Sequence, residues 1–259
     1  MSIGISTSCF YPQETEQAFL YLAQKGITKT EIFFNSLNEL KDGFIDELID
    51  IKEKYGISVT AIHPYASFSE PFLIFSDYLR RFNESKLIYE RYFDIAKALG
   101  AKIVTLHGDK PLSKLPVEEY CERYLELFLS AKEKGVILSQ ENVANFRSKD
   151  VEFIKEISEI LGDNIRFTLD IKQCIRSGVS VFDMLKAMQN KIAHVHLSDH
   201  SLSSDCLLPT LGGFDFKGLF SALKKQNYKG DYIIEVYNNA YKSYEEIIES
   251  YNKLSKICE

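Results

Sequence analysis

Short apolar, β-prone runs alternate along the chain with longer stretches in which apolar residues recur every three or four positions. Eight runs stand out: IGIS (3–6), TEIFF (30–34), ISVTAI (57–62), KIVTL (102–106), VILSQ (136–140), RFTL (166–169), AHVHL (193–197) and YIIEV (232–236). The spacing predicts helices over ETEQAFLYLAQKG (14–26), LNELKDGFIDELIDIKEKYG (37–56), SDYLRRFNESKLIYERYFDIAKALG (76–100) and VEEYCERYLELFLSAKEKG (117–135), each closed by a glycine. Shorter helices are expected at 149–161, 181–189, 215–226 and 242–256. Eight strands each followed by a helix imply a parallel sheet, and at 259 residues the most economical closure is an α/β fold of the (β/α)8 TIM-barrel type. A doubly wound open sheet is the runner-up. With no Gly/Ser linker or short repeat, residues 1–259 read as a single domain. The longest connection, from His63 to about Asp77, is expected to form a lid or wall.

Composition narrows the function classes. A hydrophobic fraction of 45% is ample for a large core, while the longest apolar stretch is far short of a bilayer span. The start MSIGISTSCF lacks a basic, continuously apolar signal, so the expectation is a cytoplasmic protein with no membrane partner. Five dispersed cysteines without a CxxC pair read as free thiols. A net charge of −6 argues against nucleic acid as a partner and fits a small-molecule substrate; an oligomer stays open.

Chemistry concentrates at the ends of the later runs. Glu141, Asp170, His196 and Glu235 each close a run or follow it directly, and an ionisable group at the end of a buried strand needs a partner such as a cation. Catalytic groups of a parallel barrel gather at this face, so the four are read as ligands of one divalent ion. Three carboxylates and one imidazole leave Mn²⁺, Co²⁺, Mg²⁺ and Zn²⁺ open. In HVHLSDH (194–200), His194 lies a layer deeper and reads as a core histidine, whereas Asp199 is a carboxylate that orients a metal ligand, a substrate contact or a loop cap. His63 and His107 end the third and fourth strands, where they bind substrate hydroxyls or extend a metal cluster. Glu31, inside TEIFF, is ranked as structural support. Gly212 and Gly213 either cradle a substrate phosphate or form a tight loop with Asp215 at a helix start. Most aromatic residues belong to the core; Phe10, Tyr65, Phe68 and Tyr237 stand near strand ends and are expected to wall a sugar-sized pocket.

The ordered set SQENV, FTLDIKQ, HVHLSD and YIIEV resembles the xylose-isomerase-like barrel superfamily over nearly the full chain. That superfamily includes sugar isomerases, ketose 3-epimerases, inosose dehydratases and type-four apurinic endonucleases. The resemblance implies a divalent metal on Glu141, Asp170, His196 and Glu235, with Glu141 and Glu235 exchanging a proton across a sugar, sugar phosphate or polyol through an enediolate. Beside the resemblance, His63, His107, Lys172, Gln173, Asp199 and Tyr237, which end or follow the later strands, are the candidate substrate-binding residues. Gln173 and Leu207 stand where the endonucleases carry extra histidines, and Thr210-Leu211-Gly212 replaces a common Gly-Glu-Gly-type loop. A metal-dependent isomerase or epimerase is therefore the leading expectation. An inosose-dehydratase-like lyase, a DNA-repair endonuclease and a non-catalytic sugar-binding barrel are its alternatives.

Overall fold

A computed structural model describes residues 2–65 and 67–258. In chain order its elements are β1 (Ile3–Ser6), α1 (Thr15–Gln24), β2 (Lys29–Phe33), α2 (Asp42–Tyr55), β3 (Ser58–His63), α3 (Glu70–Leu73), α4 (Leu79–Leu99), β4 (Ile103–Leu106), α5 (Val117–Glu133), β5 (Ile137–Glu141), α6 (Val151–Leu161), β6 (Phe167–Asp170), α7 (Ile171–Ser177), α8 (Val181–Met188), β7 (Ile192–Leu197), β8 (Asp199–Ser201), β9 (Ser204–Leu207), α9 (Phe216–Lys225), β10 (Tyr232–Ile234) and α10 (Tyr244–Cys258). Eight parallel strands close in the order β1-β10-β7-β6-β5-β4-β3-β2, and β8 pairs with β9 as a separate antiparallel hairpin. This is the expected (β/α)8 barrel. The strands are buried on both faces, as parallel strands covered by helices must be, which is why they read as apolar runs.

Element boundaries depart from the sequence expectation where side chains intervene. The stretch 37–56 is not one helix: a 3₁₀ turn at Leu37–Leu40 gives way to extended Lys41 before α2 begins. Two anchors impose the break. The buried Glu39 carboxylate accepts from Asn35 N (2.7 Å) and Thr15 Oγ1 (3.1 Å), and Arg91 holds the Leu40 carbonyl at 2.8 Å. Likewise α4 starts only at Leu79, because Arg123 Nη1 takes the carbonyls of Ile74 (2.6 Å) and Ser76 (2.7 Å). Gly56 and Gly100 end α2 and α4 in the left-handed region (φ 67° and 78°), where a side chain would be strained.

The connection from His63 to Asp77, with residue 66 outside the described residues, is a wall fixed to the barrel. Its α3 carries Glu70, whose buried carboxylate accepts from His107 N (2.7 Å), Gly108 N (2.6 Å) and Tyr89 Oη (2.5 Å). The layer of the barrel interior below the mouth is polar as well: Ser139 and Thr168 meet at 2.7 Å across β5 and β6.

Candidate metal centre

Three adjacent strands and the end of a fourth deliver the donors. Glu141 and Asp170 are the last residues of β5 and β6, His196 faces Asp170 in the β6–β7 register, and Glu235 follows β10 with its amide on the Leu197 carbonyl at 3.0 Å. One ligand atom from each lies within 4.8 Å of the others. His196 Nδ1 is central to the group, 3.2 Å from Glu141 Oε1, 3.4 Å from Glu235 Oε2 and 3.6 Å from Asp170 Oδ2. All four residues are buried.

The donor set fits a cation. Three buried carboxylates so close together repel one another and are costly without positive charge. Glu141 Oε2 and Asp170 Oδ2 also lack a hydrogen bond of acceptable geometry, although His107 Nε2 and Lys172 Nζ stand 3.0 and 3.2 Å away. Asp170 divides its oxygens: Oδ1 caps α7 by accepting from Gln173 N at 2.9 Å, which leaves Oδ2 to the centre. Burial pushes the Asp170 carboxyl up, whereas Glu141 is held well below the usual range because the neighbouring His107, His196 and His63 rings outweigh its burial. Burial likewise opposes charge on His196, but Glu31 and Glu235 hold its imidazole well above the ordinary value.

His63 and His107 join the same mouth. Their Nε2 atoms are 3.1 Å apart, and with Glu141 they form a second group of metal-capable donors within 4.8 Å. Phe33 stacks on His63 at 4.5 Å, and Phe68 and Phe146 meet His107 edge-on. Lys172 is buried with its ammonium 2.7 Å from Glu235 Oε2 and 4.9 Å from the centre of the Tyr237 ring. Gln173 reaches the site but commits its carbonyl to Ala144 N at 3.1 Å, and Tyr237 Oη accepts from Arg176 Nη1 at 2.7 Å. His63, His107, Phe33, Phe68, Lys172, Gln173 and Tyr237 line a cavity of about 270 Å³ that opens to solvent.

Several expectations require correction. Asp199 is no part of the cavity lining: its buried carboxylate accepts from the amides of His200 (2.8 Å), Thr210 (3.0 Å), Gly212 (2.9 Å) and Phe214 (3.0 Å), the loop-capping alternative. Gly212 and Gly213 therefore do not cradle a phosphate, since Gly213 N is bound to the His200 carbonyl (3.1 Å) and Asp215 caps α9 through Gly218 N (2.9 Å). Phe10 is wholly buried against Tyr21 and Tyr244, and Tyr65 packs on the core; Phe68 and Tyr237 do wall the cavity. His194 lies one layer down with Nε2 2.9 Å from Glu31 Oε2, as a core histidine would. The sequence reading missed Ser8, Tyr11, Phe33 and Asn35, which line the cavity from the ends of β1 and β2. Their position just at or beyond those two runs was the available signal.

A family model described as "Xylose isomerase-like TIM barrel" matches residues 19–254. The chain belongs to this xylose isomerase-like TIM barrel family. Among curated relatives of this barrel, an uncharacterized protein of Mycobacterium leprae is 22% identical, covering 94% of the chain and 91% of that protein. An inosose dehydratase of Clostridium perfringens is 24% identical over 60% of the chain and 64% of its own length. Among solved structures, a D-tagatose 3-epimerase-like protein superposes with a TM-score of 0.81 at 21% identity, covering 99% of the chain and 97% of its own. The IolI protein with a binding zinc atom gives 0.80, also at 21%, covering 100% and 98%. At these identities the structural likeness establishes the shared barrel fold. No helix among the described residues is long and apolar enough to cross a membrane.

Proposed function

We propose that this barrel is a divalent-metal-dependent isomerase or epimerase that acts on a sugar or related polyol through an enediolate. The observation that carries the reading is the pair Glu141 and Glu235, which approach His196 Nδ1 at 3.2 and 3.4 Å and both line the cavity. Glu141, Asp170, His196 and Glu235 would hold the ion, which is Mn²⁺, Co²⁺, Mg²⁺ or Zn²⁺. When bound, it supplies Lewis-acid stabilisation of the negative charge that develops as a carbon beside a carbonyl loses its proton. The likeness to an epimerase-like protein and to a zinc-containing IolI supports this choice.

The chain's own residues divide the remaining work. Lys172 and His196 hold the Glu235 carboxyl below its ordinary value against the effect of burial, so it is ionised and able to take a proton. Glu141, kept ionised by its histidine neighbours, serves as the partner that takes or returns it. Carboxylates on opposite faces of one carbon give epimerisation; return to the neighbouring carbon gives isomerisation. His63, His107 and Lys172 offer hydrogen-bond donors to substrate oxygens, while Tyr11, Phe33 and Phe68 present apolar walls to the C–H face of a polyol. Lys172 is the one Lys or Arg among the described lining residues and is committed to carboxylates. With the Gly212–Gly213 amides also engaged, the lining favours an unphosphorylated substrate over a sugar phosphate.

The inosose dehydratase relative supports a second reading, in which the same proton abstraction is followed by loss of a β-hydroxyl. Both readings predict metal-dependent exchange of a substrate C–H with solvent deuterium. A panel of ketoses, ketose phosphates and inososes should show exchange with at least one member, and the product then separates epimer, isomer and dehydrated compound. Absence of exchange across the panel with metal-loaded protein would overturn both and favour a binding-only barrel. Cleavage of an abasic-site oligonucleotide would instead favour a nuclease.

A further inference from the structure

We infer that Glu31 is a positioning residue of the metal centre: from the opposite wall of the barrel it holds His196 with hydrogen on Nε2, so that Nδ1 is presented to the ion. The inference rests on the metal-centre reading above and assigns a role to a residue that the sequence pattern ranks only as structural support.

Glu31 lies on β2, across the barrel from β7, and is fully buried. Its Oε2 is 3.0 Å from His196 Nε2 and 2.9 Å from His194 Nε2, and its Oε1 accepts from Ser6 Oγ at 3.1 Å. An ionised carboxylate has no hydrogen to donate, so each ring nitrogen that faces it at hydrogen-bond distance carries one. Nδ1 stands 3.2 to 3.6 Å from the Glu141, Asp170 and Glu235 carboxylates, so without an ion both ring nitrogens carry hydrogen. An ion bound at Nδ1 displaces the hydrogen there, and Glu31 keeps the single N–H of the neutral ring on Nε2. Without Glu31 the hydrogen is free to move to Nδ1, where three carboxylates compete to accept it and the lone pair is turned away from the centre. A carboxylate behind a ligating histidine thus fixes both ring orientation and tautomer.

The backbone on either side of Glu31 is held in place. The β2–β3 register pairs Thr30 with Val59 and then Glu31 with Ala61, so β3 carries one extra residue, Thr60, whose hydroxyl donates to the Thr30 carbonyl at 3.0 Å. The Thr30 hydroxyl ties the other edge of β2 to the Ile5 carbonyl of β1 at 2.7 Å. His194, edge-on to His196 with ring centres 4.9 Å apart, blocks rotation of that ring from below.

Metal affinity and the tautomer itself test the inference. Chelator-treated wild-type protein and Glu31→Gln are titrated calorimetrically with Zn²⁺ and with Mn²⁺, with thermal melts of the metal-free forms as the control for folding. A folded Glu31→Gln protein should bind roughly 10- to 100-fold more weakly. Long-range ¹H–¹⁵N correlation spectra of the zinc-loaded wild type should show His196 with hydrogen on Nε2 and a metal-shifted Nδ1, and that Nε2 hydrogen should move upfield in Glu31→Gln as its charged acceptor is lost. Affinity unchanged in the folded variant, or a spectrum with hydrogen on Nδ1, overturns the role of Glu31 and leaves the metal centre standing. A wild type that binds neither ion overturns both. Should Glu31→Gln fail to fold, the same titrations on Glu31→Asp, whose shorter side chain withdraws the carboxylate from Nε2, decide: weaker binding supports the role and unchanged affinity overturns it.

Discussion

Lys172 Nζ lies 2.7 Å from Glu235 Oε2, so the carboxylate that follows β10 shares the mouth of the barrel with a buried ammonium. The same nitrogen is 3.2 Å from Asp170 Oδ2. Burial opposes the charge on Lys172, yet Asp170 and Glu235 hold its value well above the usual range. Two of the four donors thus already have a fixed positive partner on their outer edge. That partner keeps Glu235 ionised and repels any further cation placed between the carboxylates.

Lys172→Met should separate these effects. Two unit charges about 4 Å apart repel by about 4 kcal/mol at an effective dielectric near 20, and a divalent ion doubles this, so even after relaxation of the site Mn²⁺ should bind at least roughly tenfold more tightly without the ammonium. Substrate C–H exchange should slow by at least about tenfold, because Glu235 loses the group that orients it. Calorimetry and deuterium incorporation check the two arms. Weaker metal binding in the variant would show that Lys172 supports the centre in some other way.

Glu141→Gln and Glu235→Gln keep side-chain size while removing one charge from the donor set. Each should weaken Mn²⁺ binding measurably, and each should depress C–H exchange by about 10²- to 10⁴-fold even at saturating metal. The outcome is read as exchange rate against metal concentration. A variant with wild-type exchange at saturation would remove that carboxylate from the proton-transfer pair.

The barrel and the meeting of Glu141, Asp170, His196 and Glu235 at its mouth were legible because strand period and strand end are local properties: VILSQE, IRFTLD, IAHVH and YIIE each place an ionisable group at the close of an apolar run. Features that depend on what lies opposite were not. Nothing within TEIFF reveals that Glu31 meets His194 and His196 across the barrel. α7 escaped notice because Asp170 ends β6 and caps the helix at once, leaving no polar loop to mark a boundary. Asp199 was ambiguous for the same reason, since its four amide donors come from His200 and from a loop that begins eleven residues away at Thr210.

Asp199→Ala tests that assignment. The substitution strips the acceptor from four amides, and a buried donor left unpaired costs about 1–3 kcal/mol, partly recovered by water. A loss of roughly 2–4 kcal/mol in unfolding free energy is expected, measured by urea titration. Mn²⁺ affinity should change little, because the carboxylate is turned toward the loop. Near-normal stability combined with weakened substrate binding would restore Asp199 as a substrate contact.

Glu70 gives the fold a pH dependence of defined sign. Burial pushes its carboxyl up from 4.5 to about 8, even though Tyr89 and the amides of Gly108 and His107 all donate to it. A group whose folded value lies above its unfolded value binds its proton more tightly in the folded state. Its contribution to stability is therefore complete below about 4.5 and is lost as the pH rises through about 8. Glu70→Gln cannot titrate, so the difference in melting temperature between wild type and variant should shift against the wild type as the pH is raised from about 5 to 9. Melts at several pH values, with metal removed by chelator throughout, supply the curve. A difference that stays flat would mean that the three donors, rather than burial, govern this carboxyl and that it is ionised across the whole range.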